Sequence, residues 1–366
     1  MASRLRVGVL YGGRSGEHQV SVVSAASIVA ALDPERYEVV PIGISTEGRW
    51  LPGVNPRILL ESGEPQVRLT AGGAGQVEEA LLAPAAADGR IFAGLRERLD
   101  VIFPVLHGPY GEDGTVQGLL ELTGIPYVGG GVLASAVGMD KGLMKAVFRQ
   151  AGLPVPEYLV ILRKEWEASP ASVKRRVEES VGYPCFVKPA NLGSSVGISK
   201  VHDPGELGPA LDLAAAYDRR LVVEINVDGR EIECSVLGND EPIASVPGEI
   251  VPCEEFYSYN AKYIAQDSRL IIPAEVPPET TARIQDLAVR AFKAIDCAGL
   301  ARVDFFLTRD NNGILVNEIN TMPGFTSISM YPKLWEATGL KYEDLVSRLL
   351  ELALERHADR QRSRIL

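Results

Sequence analysis

Residues able to hold a divalent cation and a phosphate gather in one stretch, 301–331, which reads ARVDFFLTRDNNGILVNEINTMPGFTSISMY. Val303, Phe305 and Leu307 alternate with Arg302, Asp304 and Phe306, so a strand here has one apolar face and one carrying polar groups. The turn Asp310-Asn311-Asn312-Gly313 and a second run, 314–319, complete an antiparallel hairpin. That hairpin sets Asp304 and Glu318 on neighbouring strands, with Asn320 just beyond. Two carboxylates and an amide oxygen are hard ligands, the set Mg²⁺ takes together with nucleotide phosphates. The plainer alternative is a solvated hairpin with stray charges. After it, Pro323-Gly324-Phe325-Thr326-Ser327 bares backbone N–H groups and hydroxyls, which suits an anionic substrate.

The elements that must position this stretch can be read along the chain. Strand 6–10 runs into Tyr11-Gly12-Gly13-Arg14-Ser15-Gly16-Glu17-His18, and a helical pattern over 20–32 and a strand over 37–44 follow. Strand, Gly-rich turn and helix open a Rossmann-like βαβ unit. GGRSGE lacks the GxGxxG spacing, so a small substrate fits this loop better than a dinucleotide. Glu17 either complements the helix dipole or faces that substrate. Residues 50–97, rich in Gly, Ala and Pro, read as an insertion with a small hairpin and no chemistry. A central parallel strand over 100–106 delivers His107 to a glycine-rich turn at its carboxyl end, where ligands of parallel sheets gather. A helix over 115–123 and a strand over 126–128 come next.

From Met139 the texture changes, with a helix to Ala151, a strand over 158–162 and a helix over 173–181. Strand 185–188 presents Lys188 ahead of Asn191-Leu192-Gly193-Ser194-Ser195-Val196-Gly197-Ile198. This loop is either a hairpin connection or a flap that closes over phosphates through its N–H groups. Strands over 221–227 and 230–236 carry Glu224 and Glu231. These read as strand-edge acids for an adenine amino group and a ribose hydroxyl, or equally as solvent-facing residues. The segment 251–271, with four aromatic rings and Lys262, has the length of a lid. A helix over 278–295 precedes the hairpin, and an amphipathic helix over 342–357, structural in role, ends the pattern.

The chain has 366 residues, 46% apolar and 23% charged, enough for two or three globular domains. Its net charge of −11 argues against nonspecific binding to nucleic acid or anionic membranes. Four scattered cysteines without a CxxC pair fit free thiols in a reducing cytoplasm. No apolar run has membrane-spanning length, and no signal-peptide core is apparent, so a cytoplasmic protein is expected.

Taken as an ordered set, GGRSGEHQVS, LHGPYGEDGTVQG, MDK, FVKPANLGSSVGISKV, EFYSYNAKY, ARVDFF and VNEINTMPGFTSISMYP resemble the D-alanine–D-alanine ligases of the ATP-grasp superfamily. The resemblance spans most of the chain and is weakest over 50–97. It implies an α/β fold, with a Rossmann-like parallel-sheet domain (1–140) followed by two α+β domains (141–233 and 234–366) that clamp ATP. It implies that Lys141 and Lys188 grip ATP phosphates under the 193–198 loop with Ser194 and Ser195, helped by Lys262. Glu224, Ile225 and Glu231 would hold adenine and ribose. Asp304, Glu318 and Asn320 would bind two Mg²⁺, with Mn²⁺ as a substitute and K⁺ a candidate activator. Glu17, near His107, would meet the ammonium group of the first D-alanine and join Ser194 and Tyr263 in a bridge closing the lid. Arg302 and the Gly324 N–H would stabilise oxyanions, and Ser329, the Met330 N–H and Lys333 would receive the second carboxylate. The implied reaction forms D-alanyl-D-alanine through an acyl phosphate for peptidoglycan synthesis, in a homodimer. Tyr263 favours a second D-alanine over D-lactate. One departure is that the lid reads SYNAKY where relatives commonly carry acids near Ser258 and Asn260. Ligation to D-serine or D-lactate is the alternative function. A nicotinamide-linked oxidoreductase is the competing class, and the glycine spacing speaks against it.

Overall fold

The computed structural model describes residues 4–57, 98–251, 269–309, 311, 313–326 and 328–364. Three sheets organise them. In the first, β1 (Leu5–Gly12), β2 (Tyr37–Ile44) and β4 (Val101–Val105) run parallel, with β3 (Trp50–Pro52) antiparallel at the edge, in the order β3-β2-β1-β4. Its strands are near-continuous apolar runs because both faces are covered. Val7, Val9 and Tyr11 pack on the side of helix α1 (His18–Ala31), while Leu10 packs on the side of α2 (Thr115–Thr123). The strand expected over 126–128 reduces to a single bridge between Tyr127 and Ile102. Most of the insertion expected over 50–97 lies outside the described residues.

Helix α3 (Val132–Met139) precedes α4 (Lys141–Gln150), which is the helix expected from Met139 to Ala151. Asp140 separates them and caps α4, accepting from the N–H groups of Gly142 and Leu143 at 3.0 and 2.9 Å. The second sheet holds β5 (Tyr158–Leu162), β6 (Cys185–Pro189), β7 (Ser199–Val201) and β8 (Arg220–Ile225), antiparallel in the order β5-β8-β6-β7. Helices α5 (Arg163–Ala168), α6 (Pro170–Ser180) and α7 (Pro204–Tyr217) supply its core through Trp166, Val173, Val177, Leu207 and Leu211. The helix expected over 173–181 begins earlier, at Pro170, whose fixed φ suits a first turn.

The third sheet contains β9 (Gly229–Gly238), β10 (Ile243–Ala244), β11 (Gly248–Val251), β12 (Arg269–Ile271), β13 (Gly299–Thr308) and β14 (Ile314–Asn320). Its order is β12-β11-β9-β13-β14, with β10 on β9. Helix α8 (Pro278–Ala294) packs on it, and so do Met144 and Phe148 of α4. The division expected after residue 233 therefore falls inside β9, every residue of which pairs with β13, and by packing α4 belongs with the third sheet. Helix α9 (Met330–Thr338) follows the hairpin. The last helix, α10 (Tyr342–Arg360), returns to the first sheet and buries Leu345, Val346 and Leu349 beside α1. Phe325 is wholly buried in the same cluster and its N–H donates to Ser24 Oγ at 3.1 Å, locking the segment after the hairpin to the N-terminal unit. Among the described residues no helix is long and apolar enough to cross a membrane.

Candidate active site

The hairpin forms, and a bulge decides what it presents. Arg302 pairs with Asn320, Val303 with Ile319 and Asp304 with Glu318, but Phe305 pairs with Val316. Asn317 is the extra residue. Ile314 and Val316 point into the core, and so does Ile319, so the buried side changes parity across the bulge. Without the extra residue Glu318 would continue the buried even-numbered series. With it, Glu318 comes to the polar face beside Asp304.

β9 flanks the other side of β13 and sets Glu233 opposite Asp304. The Arg302 guanidinium donates to both Asp304 oxygens at 2.7 Å, and its Nε lies 3.0 Å from Glu233 Oε2. Burial works against the Arg302 charge, but Asp304 and Glu233 more than offset it and hold the group protonated far above neutral pH. Arg302 is thus a fixed cation with a planar fork, suited to charge stabilisation and unsuited to proton transfer. Asn320 Oδ1 accepts the Met322 N–H at 3.0 Å. Among the described residues no group of three or more His, Cys, Asp or Glu side chains is placed to hold a metal. The two carboxylates and one amide oxygen fit Mg²⁺ because that ion keeps waters and shares phosphate oxygens instead of needing an all-protein cage.

Lys141 borders this face, and Lys188 and Lys145 share Glu224 nearby. Lys141 Nζ lies 3.5 Å from Glu318 Oε2 and donates to the Leu192 carbonyl at 2.8 Å. Lys188 donates to Glu224 Oε1 in a short contact. Lys145 Nζ lies 3.0 Å from Glu224 Oε2 and donates to the Asn317 carbonyl at 2.9 Å. The expectation of strand-edge acids is corrected here, and for Glu224 so is the solvent-facing alternative. β8 lies between β5 and β6, and β9 between β11 and β13, so neither Glu224 nor Glu231 is at an edge. The Glu224 side chain is 1% exposed. Its burial would raise its pKa, but Lys145 and Lys188 outweigh that and lower it to about 2. Ile225, at the end of β8, is partly exposed.

A second cluster forms where the first and second units meet. Ser194 donates to Glu17 Oε1 in a short contact. Glycines bound the same carboxylate: a Cβ on Gly108 would stand 2.8 Å from Glu17 Oε2, and one on Gly193 would stand 3.1 Å from it. Ser194 and Ser195 have φ of +52° and +57°, a region that L-residues seldom occupy. His107 is buried, and its Nδ1 must donate to the Met322 carbonyl at 3.0 Å because that oxygen can only accept. Its Nε2 is then an acceptor, and it has no hydrogen-bond partner among the described residues. Burial lowers the His107 pKa against the opposing pull of Glu17, so the ring is neutral. Glu112 accepts from the Gly108 N–H at 3.1 Å, and burial with Glu17 nearby pushes its pKa well up.

At the far end of the hairpin, Ser329 is the N-cap of α9 and its Oγ bonds the Thr326 N–H and Oγ1 at 3.0 and 2.8 Å. A Cβ on Gly324 would stand 2.8 Å from that Oγ. Met330 opens α9 and Lys333 is partly buried one turn on. The structure thus brings Glu17, Ser194 and His107 into one cluster and Arg302, Asp304, Glu318, Asn320 and Lys141 into another. Lys262 and Tyr263 lie outside the described residues, as does most of the lid segment. Lys145, Glu112 and Glu233 were not singled out from the sequence. The signal for Lys145 was available: it shares a helical face with Met144 and Phe148, where a lysine has no reason to sit without a buried partner.

Residues 6–130 match the family described as D-ala D-ala ligase N-terminus, and residues 147–351 match D-ala D-ala ligase C-terminus. The D-alanine--D-alanine ligase of Heliobacterium modesticaldum is 54% identical over 98% of this chain and 96% of its own length. That of Bacillus cytotoxicus is 52% identical over 98% of both chains. Among solved structures, the D-alanine-D-alanine ligase from Coxiella burnetii has a TM-score of 0.80 at 39% identity, covering 99% of this chain and 97% of that one. The VanG D-Ala:D-Ser ligase from Enterococcus faecalis has a TM-score of 0.80 at 34% identity, covering 96% and 100%. The chain belongs to the D-alanine–D-alanine ligase family, with its ATP-grasp fold.

Proposed function

We propose that the protein joins two molecules of D-alanine into D-alanyl-D-alanine, driven by ATP and releasing ADP and phosphate. The observation that carries this reading is the pairing of Asp304 with Glu318 across the bulged hairpin, flanked by Arg302 and Lys141. A carboxylate is a poor electrophile, and phosphorylation by the γ-phosphate of ATP turns it into an acyl phosphate. Lys141 and Lys188 hold the phosphates beneath the 193–198 loop, and Glu224, Ile225, Glu231 and Lys262 line the adenosine end. Mg²⁺ held by Asp304, Glu318 and Asn320 would spread the charge that develops on the transferring phosphoryl group.

Glu17 receives the ammonium group of the first D-alanine. The buried His107 Nε2 acceptor supports this, because an ammonium supplies the donor it lacks among the described residues. Ser194, already bonded to Glu17, joins Tyr263 in closing the site, which keeps water from the acyl phosphate. The second D-alanine lays its carboxylate on Ser329 and the Met330 N–H, at the start of a helix whose dipole favours an anion, with Lys333 beside it. Its neutral amine attacks the acyl carbon, the C–N bond forms, and phosphate leaves with the C–O electrons, taking up the surplus proton of the new amide nitrogen. Arg302 and the Gly324 N–H stabilise the tetrahedral oxyanion between these events. The same reading places the protein in the cytoplasm, as a homodimer supplying peptidoglycan precursors, with Mn²⁺ able to replace Mg²⁺ and K⁺ as an activator.

The test is a product assay with ATP, Mg²⁺ and D-alanine, D-serine and D-lactate in competition. D-alanyl-D-alanine should dominate, with one ADP released per dipeptide. Absence of D-alanine-dependent ADP release overturns the proposal, and a dominant D-alanyl-D-serine product overturns the choice of second substrate.

A further inference from the structure

Lys145 touches neither of the two clusters' open faces, since its side chain is 1% exposed. It rides on the same face of α4 as Lys141, Met144 and Phe148. Taking an ammonium out of water is costly unless it is paired and hydrogen-bonded. Both conditions are met here, by two elements from different sheets. Glu224 of β8 supplies the charge at 3.0 Å, and the Asn317 carbonyl of β14 accepts at 2.9 Å. That carbonyl belongs to the bulged residue, which the ladder leaves without a regular cross-strand partner. A backbone carbonyl withdrawn from the ladder still calls for a donor, and Lys145 provides one. One ammonium therefore ties the second sheet to the one irregularity that turns Glu318 onto the polar face.

We infer that Lys145 is a positioning residue that couples the Glu224–Lys188 pair at the nucleotide end to the Asn317 bulge that aims Glu318 at the metal. This rests on the assignments made above for Glu224 and Glu318. Neutralising Glu224 alone would not require Lys145, because Lys188 already contacts the other carboxylate oxygen. What Lys145 adds is the link to β14. Removing it leaves the bulge carbonyl without that donor and lets the bulge shift, so Mg²⁺ and nucleotide binding should weaken together while the D-alanine subsites, built from Glu17, His107 and Ser329, stay as they are.

The experiment compares Lys145→Met, which keeps the length and loses the charge, with Lys145→Arg, which keeps the charge. Binding of ADP with Mg²⁺ is measured by calorimetry, and KM for ATP, Mg²⁺ and D-alanine by ADP release. Lys145→Met should weaken ADP·Mg²⁺ binding and raise the Mg²⁺ and ATP requirements each about tenfold, leave the D-alanine KM within about twofold, and be largely rescued in Lys145→Arg. Unchanged ADP·Mg²⁺ affinity, or an equal loss for all three ligands, overturns the inference. Should Lys145→Met not fold, hydrogen exchange on the unmodified protein decides: ADP·Mg²⁺ should slow exchange at 222–226 and 316–320 together, and protection of one segment alone is the contrary result. A wild-type protein that binds ADP·Mg²⁺ but releases no ADP with D-alanine would instead overturn the proposed reaction, leaving the calorimetric reading of Lys145 intact.

Discussion

Replacing Glu224 with Gln should destabilise the protein by an amount that depends on pH in a defined direction. The carboxylate is buried between Lys145 and Lys188, and a glutamine leaves both ammonium groups without a counter-charge. Breaking a buried pair in this way costs about 3–5 kcal/mol. The lowered pKa of the carboxylate leads to a similar figure. The Glu224 pKa falls from 4.5 to about 2 on folding. Each tenfold change in proton affinity corresponds to ~1.4 kcal/mol, so the carboxylate contributes on the order of 3 kcal/mol at neutral pH. Because the folded-state pKa is the lower one, this contribution is complete above the unfolded pKa and is lost as pH falls towards the folded value. The stability difference between wild type and Glu224→Gln should therefore be about 3 kcal/mol at pH 7 and shrink to roughly 1 kcal/mol at pH 3. Urea unfolding of both proteins at several pH values reads it directly. A difference that is absent at pH 7, or that grows as the solution is acidified, would refute the placement of Glu224 between two charged lysines.

Three further substitutions probe the rest of the site. Glu318→Gln keeps the shape of a ligand and removes its charge, so turnover should fall by about a hundredfold or more with a raised Mg²⁺ requirement, read by titrating Mg²⁺ in the ADP-release assay. Arg302→Lys retains a positive charge but loses the fork that spans both Asp304 oxygens. It should lower kcat by about a hundredfold with a smaller change in the KM for ATP, as expected for loss of an oxyanion donor. Gly108→Ala would put a methyl group 2.8 Å from Glu17 Oε2 at a φ of +71°; it should raise the KM for D-alanine about tenfold and cost ~1–2 kcal/mol in urea unfolding.

Much of the site was readable from residue types alone. The hairpin is local, its first strand alternates cleanly, and the turn over 310–313 declares itself, so residue order alone sets Asp304 and Glu318 on neighbouring strands, while the bulge at Asn317 brings them opposite each other. The bulge was readable too, since ILVNEIN has two successive polar residues where alternation allows one, but only its consequence for Glu318 gives it meaning. Glu224 was misjudged for a physical reason. An acid in an otherwise apolar strand looks the same at an edge or in the middle of a sheet, and what tells them apart is the order β5-β8-β6-β7, a long-range fact. Lys145 was passed over because its two partners come from β8 and β14, far away in sequence. That α10 would close over the first sheet beside α1 has no local signature, because amphipathicity says that a face is buried and not against what.

The central claim is that Asp304, Glu318 and Asn320 gather Mg²⁺ and the nucleotide phosphates on the polar face of the hairpin. A crystal structure of the protein grown with ADP and Mg²⁺ tests it most directly. The account predicts Mg²⁺ bound to oxygens of these three residues and to phosphate, with Lys141 and Lys188 against the same phosphates. A diphosphate bound elsewhere, with residues 304, 318 and 320 contacting neither metal nor nucleotide, would contradict it.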